Sequence, residues 1–324
     1  MKKILITGYT GFIGSNLTNK LKDNFLSGVD ISKNDSVRRH FVWEKLDECV
    51  DQEVIIHLAG KAHDMKNTLS EEEYFKINVG LTQKIFQFFL DSTASKFIFF
   101  SSVKAISDSV AGPFLTEEVF PDPKSTYGRS KLEAEKYISN EFQKWKEKEK
   151  KIGKDNEWKK VFILRPCMVH GPGNKGNLNL LFKLQQKGLP WPLGSFENKR
   201  SFCSINNILF VIQQLIDRNI ESGIYLVADD EPISTNEIIR LMANILNKNV
   251  IIWRIPQNVI KSIAKAGDLL CLPLNSERLK KLTESYIVSN QKLKNAFGIE
   301  NMPITSSEGM KQTIESFIEH RHDI

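Results

Sequence analysis

The chain has 324 residues, 41% hydrophobic and 26% charged, with a formal net charge of +6, which is the balance of a folded protein with a large core and excludes a disordered or collagen-like chain. Its four cysteines (Cys49, Cys167, Cys203 and Cys271) are scattered without CxxC spacing or a histidine cluster, which argues against a zinc site or disulfide framework and suits reduced thiols in the cytoplasm. No stretch approaches the about 18 apolar residues of a membrane span, and Ile4 to Ile6 is too short for a signal-peptide core.

Ile4-Leu5-Ile6-Thr7 predicts a buried parallel strand, and Gly8-Tyr9-Thr10-Gly11-Phe12-Ile13-Gly14 follows at once. Ser15 to Lys22, with Leu17 and Leu21 four apart, predicts a helix, and Phe25 to Val29 a second strand ending at Asp30. Strand, glycine turn, helix, strand and acid in that order predict a dinucleotide site. One glycine makes the tight turn, another admits backbone N–H groups to a pyrophosphate, and Gly14 lets helix and strand pack closely. The helix N-terminus favours the phosphate charge. Asp30 would accept hydrogen bonds from the adenosine ribose and repel a 2′-phosphate, which points to NAD. Lys33, Arg38 and Arg39, just beyond, are the cations that NADP would need.

Val54 to Leu58 predicts another strand, ending in Ala59-Gly60, small residues against which a cofactor can lie. Glu71 to Ser92 predicts one long helix, apolar nearly all round, whose second buried face is assigned to a subunit contact. Lys96 to Phe100 is the next strand, with Ser101-Ser102 at its carboxyl end, where open α/β sheets bind ligands. After a loop from Val103 to Pro123, Ser125 and Thr126 can cap a helix carrying Tyr127 and Lys131. Their spacing of four puts both on one face. A phenol beside an ammonium should have its pKa lowered from about 10, and a nearby serine can share its proton with a substrate. The charged run from Lys144 to Lys160 reads as a solvated helix end or loop.

Val161 to Leu164, closed by Arg165-Pro166, completes a repeated β-α-β pattern. The expected architecture is a doubly wound parallel (Rossmann) sheet over 1–170. A smaller C-terminal α/β lobe over 171–324 follows, from which some segments return to the first domain. In this second half helices are predicted at Leu178–Lys187, Asn207–Asp217, Asn236–Leu246 and Glu308–Glu319, and strands at Ile224–Val227 and Val250–Ile255.

With these residues placed, the chain resembles the extended short-chain dehydrogenases/reductases of the nucleotide-sugar epimerase/dehydratase kind. The matching motifs are Gly8-x-x-Gly11-x-x-Gly14, Asp30, His57-Leu58-Ala59-Gly60, Asn78, Ser101-Ser102, Tyr127-x-x-x-Lys131, and Arg165-Pro166 leading to His170-Gly171-Pro172-Gly173. The resemblance implies that Ser102, Tyr127 and Lys131 are catalytic, with Tyr127 the general base on a sugar hydroxyl. It implies that NAD is held by Gly8, Thr10, Gly11, Phe12, Ile13, Gly14, Asp30, Leu58, Ala59, Gly60, Asn78, Ser101, Tyr127 and Lys131. A UDP-sugar would meet Ser102, Val103, Lys104, Tyr127, Asn177, Leu178 and Arg200, with Arg200 on the diphosphate. A homodimer, and a role in surface-polysaccharide sugar synthesis, are further implications.

One departure narrows the chemistry. Dehydratases of this family carry an Asp-Glu pair after the hydroxyl residue, and here Val103-Lys104 stands in its place, so dehydration is not expected. The expected activity is C4 epimerisation of a UDP-hexose or UDP-N-acetylhexosamine, with reduction of a UDP-deoxy-4-keto sugar as the alternative. A non-catalytic sensor or nucleic-acid-binding protein on the same fold would tend to lose the tyrosine or lysine, and its only support here is the Lys144–Lys160 run with Trp145 and Trp158.

Overall fold

The computed structural model describes residues 1–61, 70–153, 158–174, 176–270 and 275–319, with Asn177 and Glu319 by backbone alone. Cys271 and the middle of the Lys144–Lys160 run fall outside the described residues.

In chain order the first half comprises β1 (Lys3–Thr7), α1 (Phe12–Lys20), β2 (Phe25–Val29), β3 (Arg39–Phe41), β4 (Val54–His57), α2 (Glu71–Asn78), α3 (Gly80–Asp91), β5 (Lys96–Phe100), α4 (Thr126–Lys151) and β6 (Lys160–Pro166). The second half adds β7 (Met168–His170), α5 (Asn177–Gln186), β8 (Phe202–Ser204), α6 (Ile205–Asp217), β9 (Gly223–Val227), α7 (Thr235–Ile245), α8 (Gln257–Leu270), α9 (Ser276–Thr283), α10 (Gln291–Phe297) and α11 (Ser306–Glu319).

Seven strands form one parallel sheet in the order β3-β2-β1-β4-β5-β6-β9. The apolar runs are near-continuous because both faces are covered. Alternate residues point to opposite faces: Ile4, Ile6, Ile56, Ile98 and Phe162 meet residues of α1, α6 and α10. Leu5, Ile55, Phe97, Phe99 and Ile163 meet residues of α3 and α4. A separate core, built on Phe182, Ile239, Met242, Ile260, Leu279 and Ile314, holds the smaller lobe together. The division at residue 170 is therefore crossed more than once: β9 is a full sheet strand, and Ile208, Leu293 and Phe297 belong to the first core.

Three expectations change. The helix over 71–92 is two helices meeting at Val79. Thr82 donates its hydroxyl to the Asn78 carbonyl (2.7 Å), a side chain competing for the backbone acceptor, and Gly80 follows the break. Nor does α3 leave a broad apolar face uncovered: Ile85, Phe86, Phe89 and Leu90 are buried within the chain, where α4 packs beside them. Finally, Val250–Ile255 is no strand but two isolated bridges, Ile252 to Trp191 and Arg254 to Leu193.

The charged run also ends differently from expectation. Through Lys151 it extends α4 as an exposed helix, but Lys159 is fully buried. Its ammonium donates to the carbonyls of Phe89 (2.7 Å), Ser92 (2.8 Å) and Ala94 (2.9 Å), capping the C-terminus of α3, and lies 4.3 Å from the ring centres of Phe89 and Trp158. Burial lowers its pKa to about 8 against the pull of Asp91 and Glu149. Lys159→Met strands these acceptors, and urea unfolding at pH 7 should show a loss of about 1–3 kcal/mol.

Candidate active site

The glycine turn and the end of β4 are pressed together at the sheet's carboxyl edge. Gly8 has φ +70°, and a Cβ there would lie 2.7 Å from the Ala59 nitrogen. A Cβ on Gly14 would lie 2.4 Å from the Gly8 carbonyl oxygen, so the helix can begin this close to β1 only with glycine. Gly11 is exposed and serves as the N-cap of α1 without any side-chain cap, so the first helical N–H groups face outward. Phe12, Ile13 and Leu58 are partly buried against the first core, so it is their backbone that this cradle offers. Asp30 accepts from the Thr10 nitrogen (3.0 Å) and hydroxyl (2.7 Å) and from the Ile31 nitrogen (2.7 Å), tying the end of β2 to the glycine turn. The residues fit a dinucleotide: an open, uncapped helix start beside a buried carboxylate, in a turn that no side chain fills.

At the end of β5, Ser102 accepts from the Lys104 nitrogen (3.2 Å) and caps the short turn Val103–Ala105. The first turn of α4 lies against it, because a Cβ on Gly128 would stand 2.3 Å from the Lys104 carbonyl. That contact brings Tyr127 into hydrogen bonding with the Ser102 side chain. Lys131, one turn along, is buried and donates to the Phe100 carbonyl (2.9 Å). A Cβ on Gly60 would lie 3.3 Å from its ammonium, so Gly60 keeps space open above it. Ser102, Tyr127, Lys131 and Gly60 thus meet in one place.

The expected lowering of the Tyr127 phenol by Lys131 is not present in this structure. Burial raises Tyr127 to about 12, with the Ser102 hydrogen bond pulling the other way and Tyr74 adding to the rise. Lys131 is itself lowered to about 8 by burial, opposed by Glu135. Its ammonium is turned to the Phe100 carbonyl and lies 5.0 Å from the Phe99 ring centre.

Other expected contacts are redirected. The Ser101 hydroxyl donates to Glu135, whose carboxylate also takes Arg165 Nε (2.9 Å) and Nη2 (2.5 Å) in a buried pair, so Ser101 offers a cofactor only its backbone. Asn78 spans the Lys61 backbone (2.8 and 3.2 Å) and Ser130 (2.9 Å), and Ser130 donates to the Tyr127 carbonyl (2.8 Å). It is a strut holding Tyr127 in place. Val103 and Leu178 are buried among hydrophobic neighbours, so it is chiefly their backbone that they present at the surface. The Asn177 side chain lies outside the described residues. His57 is a satisfied core residue between Thr7 (2.6 Å) and Thr82 (3.0 Å).

Tyr286 was not legible as a site residue. It reaches from the second half to donate its hydroxyl to the Ser107 carbonyl (2.8 Å), closing the small lobe onto the loop after Ser102. No spacing signals it. Glu135 did carry a signal, since it follows Lys131 by four residues on the buried face of α4.

A seven-stranded parallel sheet with a glycine turn after its first strand, and a serine–tyrosine–lysine cluster at the carboxyl edge, defines a Rossmann-fold protein with a candidate site at that edge. The model of the NAD dependent epimerase/dehydratase family matches residues 4–228, and the chain belongs to that family. It is 33% identical over 337 residues to the UDP-glucose 4-epimerase of Vibrio cholerae, covering 98% of this chain and 96% of that one. Its fold is that of the UDP-glucose 4-epimerase of Thermotoga maritima solved with UDP-glucose (20% identity, TM-score 0.75, 98% and 99% of the two chains). MoeE5 in complex with UDP-glucose and NAD shares the fold as well (18% identity, TM-score 0.74, 98% and 99%). No helix of the described residues is long and apolar enough to cross a membrane.

Proposed function

We propose that this protein epimerises C4 of a UDP-hexose or UDP-N-acetylhexosamine through a transient 4-keto sugar, using NAD. The observation that carries the reading is the hydrogen bond between Ser102 and Tyr127 above buried Lys131, beside the glycine turn. The Vibrio cholerae relative and the sugar-bound neighbours support it. Tyr127 takes the proton of the C4 hydroxyl and later returns it, Ser102 hydrogen-bonds the reacting oxygen, and Lys131 supplies the buried positive charge. NAD held by the Gly8–Gly14 turn and Asp30 would supply reversible hydride transfer at C4. Val103-Lys104 offers no acid pair for losing water.

Of the three nearby cations, Lys33 follows Asp30 closely and stays available, while the two arginines are drawn away from it, which favours NAD. Arg38 and Arg39 sit over the Phe25 ring (5.3 and 5.4 Å) at the start of β2, whereas Asp30 is at its far end. Five strand residues separate those ends by roughly 16 Å. A homodimer would use the outer surfaces of α3 and α4, which present mainly Gln83, Gln87, Lys136, Asn140 and Lys144.

Incubation with UDP-glucose and UDP-N-acetylglucosamine, followed by proton NMR, should show inversion at C4 with no net change in absorbance of the reduced cofactor. Stoichiometric consumption of added NADH or NADPH by a UDP-4-keto sugar would sink the epimerase reading in favour of a reductase.

A further inference from the structure

Lys104 leaves the turn just after Ser102 and runs toward the second half of the chain. Its ammonium donates to the Asp108 carbonyl (2.9 Å) and lies 4.4 Å from the centre of the Tyr286 ring. Tyr286 is the backbone neighbour of Arg200, and its own nitrogen donates to the Lys199 carbonyl (2.8 Å). The Arg200 guanidinium, held by the Lys281 carbonyl, faces the same junction. Both cations are half-buried and repel one another, and burial is the largest influence lowering the pKa of each.

Neither has a carboxylate partner among the described residues. The Asp108 carboxylate is taken by the Ser125 hydroxyl (2.8 Å) and the Ser125 and Lys124 nitrogens (2.9 and 2.8 Å). Asp108 is the strongest charge acting on Lys104 and Glu284 the strongest on Arg200, but neither lies within ion-pair distance of them, and Glu284 pairs instead with Lys280 at 3.8 Å. Two half-buried positive charges that meet only carbonyls directly and carboxylates at a distance leave room for an anion to complete the group.

We infer that Lys104 and Arg200 together form the seat of the substrate's pyrophosphate, Lys104 being a second diphosphate ligand reached from the catalytic loop. The inference rests on the UDP-sugar reading above. In a hexose the C1 diphosphate lies across the ring from the C4 hydroxyl, and a lysine's length separates the ammonium from the backbone beside Ser102. The forked guanidinium and the compact ammonium suit different oxygens of one dianion. Where a dehydratase of this family carries an acid of its acid–base pair, this chain therefore carries a cation that binds.

The test is titration calorimetry of the full-length wild type, Lys104→Gln and Lys104→Arg with UDP, UMP, inorganic pyrophosphate and UDP-glucuronate. Lys104→Gln should weaken UDP about tenfold and UMP by less than about threefold, and Lys104→Arg should stay within about threefold of wild type for UDP. Urea midpoints on the same samples check that each variant is folded. Equal UDP affinity of wild type and Lys104→Gln overturns the inference. So does a loss confined to UDP-glucuronate, which would assign Lys104 to a sugar carboxylate. A wild type that binds pyrophosphate but not UDP, with the Lys104→Gln loss intact, supports the anion seat and rejects the uridine nucleotide.

Discussion

Replacing Tyr127 by phenylalanine should lower kcat about a hundred- to ten-thousandfold and leave the affinity for UDP within about twofold. The ring stays: it packs edge-on to Tyr74 at 6.4 Å, and its backbone carbonyl is fixed through Ser130 and Asn78. What goes is the one oxygen that is hydrogen-bonded to Ser102 and able to take a proton from a substrate hydroxyl. Stopped-flow or NMR turnover, read beside UDP titration, separates the two quantities. Wild-type activity should also fall on the alkaline side near pH 8, where Lys131 loses its proton. The sign for stability is opposite. Burial lowers Lys131, so the native chain releases this proton at about 8 while the unfolded chain keeps it to about 10.4. Charged Lys131 therefore costs stability below pH 8, and that cost fades as pH rises toward 10. A kcat for Tyr127→Phe within tenfold of wild type would remove Tyr127 from the base role.

The parallel sheet was legible because its strands are short apolar runs bounded by glycine or serine, a pattern that burial on both faces imposes. Phe25–Val29 and Lys96–Phe100 match their expected bounds. The division of the 71–92 helix was not, because Val79 keeps helical dihedrals and the apolar pattern runs on through the junction. The clustering of Ser102, Tyr127 and Lys131 follows from two local rules, ligand-binding strand ends and helical spacing. The direction of Ser101 and Lys104 does not, since each is settled by a partner distant in sequence, Glu135 for one and Tyr286 for the other. Lys159 shows the same limit: a lysine in a charged run reads as solvated until a helix end is folded over it.

Arg165→Met should be the most destabilising of the changes considered, by about 3–5 kcal/mol in urea unfolding, because it leaves Glu135 as a buried carboxylate with its main counter-charge gone. Glu135 and Arg165 are each 3% exposed, and the guanidinium meets the carboxylate through both Nε and Nη2. Replacing both, as Glu135→Leu with Arg165→Met, should recover most of that loss, since an apolar pair of similar volume removes the desolvation cost of both charges. The double variant then isolates what the pair does for the site. Glu135 is the charge that holds Lys131 up against burial, so without it the ammonium deprotonates at lower pH. The alkaline limb of kcat/KM should move below its wild-type position near 8 in a protein that is otherwise folded. A double variant with recovered stability and an unmoved limb would make Glu135 a purely structural partner of Arg165. A moved limb would tie the buried pair at the end of β6 to the proton chemistry one helical turn away.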